Sequence, residues 1–153
     1  MSEHRATIRW KRETPDFSYE SYNRAHRWEV GATEVPASAA PEFRGDAERV
    51  DPERAFVASI ASCHMLTFLA IAARKRFVVD EYTDSAVGFM EKNADGKLAI
   101  TRVSLKPLVA FGGDSRPSAE ERAQLHESAH RNCFIANSVL TAVTVDEQEA
   151  AAR

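Results

Sequence analysis

The sequence predicts an α+β fold built on antiparallel sheet. Three observations carry that prediction. Runs that alternate with period two outnumber helical runs. The strand-like runs sit next to one another across turn residues, as hairpins do, rather than alternating with helices. One long apolar segment in the middle of the chain reads as a helix. At 153 residues, 44% of them hydrophobic, the chain has apolar surface for one core and too much for a disordered polymer, so a single domain over residues 1–153 is expected.

Ala6, Ile8 and Trp10 alternate with Arg5, Thr7, Arg9 and Lys11, which gives a strand over residues 5–11. Turn residues around Pro15 end it. Tyr22, Arg24, His26, Trp28 and Val30 then share one face of a second strand, residues 20–31, paired with the first. Residues 32–51 carry Pro36, Pro41 and Gly45 and read as a loop. Asp51 suits a helix N-cap and Pro52 the first helical position. The run Ala55–Ala73 that follows is apolar nearly all round, so a buried central helix is expected, ended by the cations Arg74, Lys75 and Arg76.

Residues 80–112 read as a hairpin, with arms 82–92 and 97–111 about Asp95-Gly96, and with Pro107 marking an edge or a bulge. Ser118 and Glu121 form a capping box at the start of a second helix, residues 119–133. Val139, Thr141, Val143 and Val145 alternate as a last strand, and the polar tail 146–153 is expected to fray. The expected order is therefore β-β-α-β-β-α-β. One small sheet cannot cover a helix that is apolar on so many sides. The simplest cover is a second copy, so an obligate homodimer is expected.

A net charge of −3 supplies no cationic excess for phosphate, so nucleic acid is not an expected partner. The longest apolar stretch, Met65–Ala73, is far shorter than the ~20 residues that span a bilayer, and no apolar segment follows the first five residues as in a signal peptide. A cytoplasmic protein without membrane partners is expected. In a reducing compartment two lone cysteines, Cys63 and Cys133, point to redox or nucleophilic chemistry more than to a structural disulfide.

Cys63 lies mid-helix and Cys133 at the end of the second helix. Each could be a small buried hydrophobe. They could also form a reversible pair if the helices bring their Cα atoms within about 7 Å. Arg24 shares an inward strand face, where a guanidinium is costly unless paired, snorkelled or used. A thiolate is a suitable partner, because a nearby cation lowers a cysteine pKa from about 8.5. Glu53, in the first turn of the helix, either complements the helix dipole or holds such an arginine. It precedes Cys63 by about 15 Å of straight helix. His126, His130 and Cys133 stand at i, i+4 and i+7; with His64 they could form a zinc site, or simply be polar residues on a half-exposed helix.

Three stretches together resemble the OsmC/Ohr family of organic hydroperoxide reductases. Asp51-Pro52-Glu53 through Cys63-His64-Met65 resembles the family's central helix, with a Pro-Glu opening and a reactive cysteine ten residues on. His126 through Cys133-Phe134-Ile135-Ala136-Asn137-Ser138 resembles its second-cysteine segment, and Tyr22-Asn23-Arg24-Ala25-His26 the strand bearing its arginine. The resemblance implies an OsmC-like fold, with antiparallel sheets around long central helices in an intertwined homodimer with two interface sites. It implies that Cys63 is the peroxidatic nucleophile, Cys133 the resolving cysteine, Arg24 the stabiliser of thiolate and peroxide, and Glu53 the residue holding Arg24. The substrate would be an organic hydroperoxide and the reductant an external dithiol, a lipoylated or thioredoxin-like protein, with no metal or other cofactor. Phe134 stands where Ohr-type members carry proline, and His64-Met65 is more like an OsmC-like subgroup. The alternative implied by the same fold is a non-catalytic stress protein or a Cys/His metal binder.

Overall fold

The computed structural model describes residues 1–150 and divides into two compact units, Met1–Ala55 and the chain from Phe56 onward. The first unit is a three-stranded antiparallel sheet in the order β1-β2-β3, with β1 Ala6–Arg9, β2 His26–Val30 and β3 Thr33–Ala37. The predicted second strand is shorter than expected, because residues 20–25 form turn and loop. Side chains there take over the backbone. Asn23 bonds Lys11 O and the Glu13 amide, the Trp10 indole donates to Asn23 O, and Ser18, Ser21 and Asp16 bond one another.

Part of the expected loop 32–51 is strand β3. Gly31 takes φ +60°, the sign a type II′ hairpin turn demands of its first central residue, and so β2 turns straight into β3. Pro36 is tolerated because β3 is an edge strand, and the one residue bridged on its outer side, Val50, donates to Pro36 O and asks no amide of it. A short 3-10 turn, Pro41–Phe43, follows.

Helix α1 spans Pro52–Arg74. Asp51 caps it, its Oδ1 accepting the Arg54 amide at 2.8 Å. Within the chain only Ile60, His64, Phe68 and Ala72 of this helix are buried, a stripe of period four. The expected all-round burial is therefore not met by one copy. The most apolar 18-residue window of α1 has mean hydropathy 1.9, enough by length and composition to cross a membrane, yet 22% of that window is buried.

In the second unit the expected hairpin over 80–112 is broken in both arms. It forms β4 Val78–Asp84 paired with β7 Pro107–Gly112, and β5 Val87–Lys92 paired with β6 Leu98–Leu105. Asp95-Gly96 makes the turn as predicted, with Gly96 at φ +75°. Strand β8, Ala142–Val145, pairs with β6 in parallel, a departure from the antiparallel pairing of the other strands. Helix α2, Ala119–Asn132, opens on the predicted capping box of Ser118 and Glu121.

The N-terminal half of the α1 stripe packs Ile60 on Val103 and Leu105 of β6. The C-terminal half packs Phe68 and Ala72 on Leu125 and Ala129 of α2, flanked by Val79, Tyr82, Val109 and Phe111 of β4 and β7. The tail is not frayed over 146–148: the Asp146 and Gln148 amides donate to Leu105 O and Pro107 O. Residues 151–153 of the expected tail lie outside the described residues.

Candidate active site

Cys63 and Cys133 belong to the same unit, and both are free thiols. Cys63 is half-buried on α1. Cys133 ends α2 in extended conformation (φ −70°, ψ 115°) and is only 1% exposed. The helix therefore stops where its last residue turns the thiol into the interior. Burial pushes the Cys133 thiol up from its ordinary range, and the neighbouring Cys63 thiol raises it further. A backbone donor at Ala136, 3.4 Å from Cys133 Sγ, acts the other way and holds the sulfur in place. The two sulfurs thus differ: one can be reached, and the other is kept protonated beside it.

Arg24 and Glu53 lie in the first unit, and the structure does not pair them. The Arg24 guanidinium donates to Tyr22 O at 2.7 Å and to Tyr19 O, and stacks 3.8 Å over the Tyr22 ring. Among the described residues it forms no ion pair. Glu53 Oε2 is buried and accepts no hydrogen bond from any described residue. Arg24 borders a cavity of about 370 Å³ shared with Trp10, Phe17, Tyr22 and Pro52. The three rings pack edge to tilted face, with centroids 5.2–6.4 Å apart.

The same two helices carry a buried polar pair that sequence reasoning noticed only as a metal option or as ordinary polar residues. His64 Nε2 lies 3.1 Å from His126 Nδ1, and the two ring planes are parallel to within 4°. Burial lowers both imidazoles to about 4; the charges of His126 and His130 add to this for His64, and that of Arg122 for His126. Both rings are therefore neutral at pH 7. Glu147, which the sequence consigned to the tail, brings Oε1 to 3.8 Å from His126 Nε2 and 3.5 Å from Arg122 Nε. Only the i, i+4 spacing of His126 and His130 could have signalled this cluster. Among the described residues no three His, Cys, Asp or Glu side chains converge to hold a metal ion, so the zinc option raised for His64, His126, His130 and Cys133 does not assemble.

The family model described as OsmC-like protein matches residues 45–148 of this chain. That span holds both helices, both cysteines and all strands of the second unit. The chain belongs to the OsmC-like family. An OsmC-like protein of unknown function from Vibrio cholerae is 46% identical, with a TM-score of 0.94 over 97% of this chain and 100% of that one. Two more distant structures share the fold. One is an organic hydroperoxide resistance protein OsmC from Legionella pneumophila (15% identity, TM-score 0.71, 99% and 98% of the two chains). The other is an organic hydroperoxide resistance protein from Bacillus subtilis (17%, 0.66, 97% and 98%). No curated protein matches. OsmC-like membership accounts for the α+β architecture, including the long apolar α1.

Proposed function

We propose that this OsmC-like protein reduces organic hydroperoxides to alcohols, with Cys63 as the attacking sulfur and Cys133 as the resolving one. The observation that carries the reading is the asymmetry of the pair, a half-exposed thiol on α1 beside a fully buried one at the end of α2. A bulky substrate can meet only the first. The Cys63 thiolate attacks one peroxide oxygen, the O–O bond breaks, and the departing alkoxide takes a proton to become the alcohol. The Cys133 sulfur then attacks the Cys63 sulfenic acid and expels its oxygen as water, leaving a disulfide. An external dithiol, from a lipoylated or thioredoxin-like protein, returns both thiols by two exchange steps.

We assign to Arg24 the cation that thiolate and peroxide need, and to Glu53 the carboxylate that orients it. The buried, partnerless oxygen of Glu53 supports this, since such a group calls for a donor. The cavity beside Arg24, walled by Trp10, Phe17 and Tyr22, suits an alkyl or aryl group. The working form is a homodimer: α1 leaves most of its apolar length uncovered, and its Ser59, Ser62 and Thr67 suit a protein interface better than lipid. We assign the protein to the cytoplasm, where two lone cysteines are kept as thiols available for chemistry.

Hydroperoxide consumption with dithiothreitol is the test. Cys63→Ser should abolish it. With peroxide and no added thiol, Cys133→Ser should complete one turnover and then over-oxidise Cys63, gaining about 32 Da as a sulfinic acid. Unchanged turnover in Cys63→Ser would end the proposal.

A further inference from the structure

The interior holds one directional contact between the two cysteine-bearing helices that the chemistry above does not use. The inward stripe of α1 is Ile60, His64, Phe68 and Ala72, three apolar side chains and one imidazole. His64 meets His126 of α2 at 3.1 Å. Apart from the contact of the Cys63 thiol with Cys133, this is the only side-chain hydrogen bond between the two cysteine-bearing helices among the described residues. The rest of their contact, Phe68 and Ala72 against Leu125 and Ala129, is apolar and non-directional. Apolar surfaces tolerate sliding, whereas a hydrogen bond fixes both distance and angle. The fixed point is tied to both cysteines through the two helices that carry them. His64 follows Cys63 directly, and His126 precedes Cys133 by two turns on the face they share with His130. A disulfide has narrow geometric tolerances, so a small slip of one helix along the other takes the sulfurs out of range.

We propose that His64 and His126 are positioning residues whose mutual bond sets the register of α1 on α2 and thereby holds Cys133 within bonding reach of Cys63. The inference rests on the reading of these cysteines as a disulfide-forming pair.

The test oxidises the reduced full-length protein with diamide and follows disulfide formation by intact mass. The two thiols lose two hydrogens, and the azo bond of diamide takes them up to give a hydrazine. No peroxide is involved. A protein that turned over no hydroperoxide would thus fail the functional reading and leave this test standing. Replacing both rings with apolar side chains, His64→Leu with His126→Leu, removes the bond without leaving an orphaned polar atom, so the variant keeps its fold. Its disulfide should form about tenfold more slowly or worse, as expected for a misplacement of about 1 Å.

His126→Asn presents an amide where Nδ1 stood, and His64→Gln one where Nε2 stood. Each should keep the native rate within about twofold. The double leucine variant closing at the native rate would overturn the proposal. So would asparagine and glutamine variants that are folded, by circular dichroism, yet about tenfold slower than the native protein. Because the amide variants decide the matter alone, a leucine pair that failed to fold would not shelter the idea.

Discussion

Lowering the pH from 7.5 to 5 should cost the folded chain about 4 kcal/mol through His64 and His126. Each ring is held at about 4 in the folded protein, His64 by burial first and then by the charges of His126 and His130, His126 by burial and then Arg122. In the unfolded chain both titrate near 6.5. Between pH 6.5 and 4 the unfolded state therefore binds more protons than the folded one. Stability is full above this window and falls as pH drops through it. With one pKa unit equal to 1.36 kcal/mol, a single ring forfeits about 2 kcal/mol at pH 5 and about 3 at pH 4. Two rings together approach the whole stability of many small domains.

Two carboxyls act in the opposite sense. Burial raises Asp84 and Glu147 above the ordinary carboxylate range, so both take up protons more readily in the folded state and gain as pH falls. The comparison that isolates the imidazoles is the native protein against His64→Gln with His126→Asn, which keeps the carboxyls and the hydrogen bond but cannot titrate. Urea unfolding at pH 7.5, 6 and 5 supplies the free energies. The native curve should fall about 4 kcal/mol further than that of the variant between the outer points. Parallel loss in the two proteins would refute the reasoning, because it would mean that the rings protonate in the fold as easily as in water.

Three further outcomes follow from packing. Phe68→Ala should cost about 3–5 kcal/mol in chemical denaturation, since its fully buried ring touches His126, Tyr82 and Phe111 where α1, α2 and the β4–β7 sheet meet. Ser118→Ala removes the reciprocal cap with Glu121 and should cost about 1 kcal/mol, a drop of a few degrees in Tm, with peroxide turnover at 25 °C unchanged. Leu66 is 60% exposed on the uncovered side of α1. Leu66→Arg should lower the mass measured by sedimentation from two chains to one, and a persistent dimer would place the interface elsewhere.

Much of the fold was legible where local chemistry left no competitor. Asp51-Pro52, Ser118 with Glu121, and Asp95-Gly96 each fix a boundary through a bond or a φ value that few other residues provide, and all three hold. Strand β3 was hidden because Pro36 reads as a breaker unless its edge position is known. Residues 20–25 read as strand because alternation survives there in the letters alone. Hydrogen bonds from Asn23, Ser18 and Ser21 override it. The tail looked dispensable because nothing in its composition reveals that two of its amides extend a sheet edge.

The candidate site divides along the same line. Cysteines stand out by being few, so Cys63 and Cys133 could be singled out before any coordinates, and the structure makes them neighbours with unequal burial. His64 was misjudged for the opposite reason. Alone, it is one polar residue in an apolar run, and pooled with His126, His130 and Cys133 it suggested a metal. What decides its role is which nitrogen meets which, and that depends on how α1 lies on α2. Four consecutive stripe positions of α1 would pack most simply as four hydrocarbons. The fold keeps an imidazole at one of them, next to Cys63 in the chain, and bonds it to the opposite helix. A buried polar contact costs desolvation that an apolar pair avoids, so its return has to be sought in geometry rather than in stability. That is why the variants that separate the two effects, amide against leucine at the same positions, carry more information than alanine substitutions would.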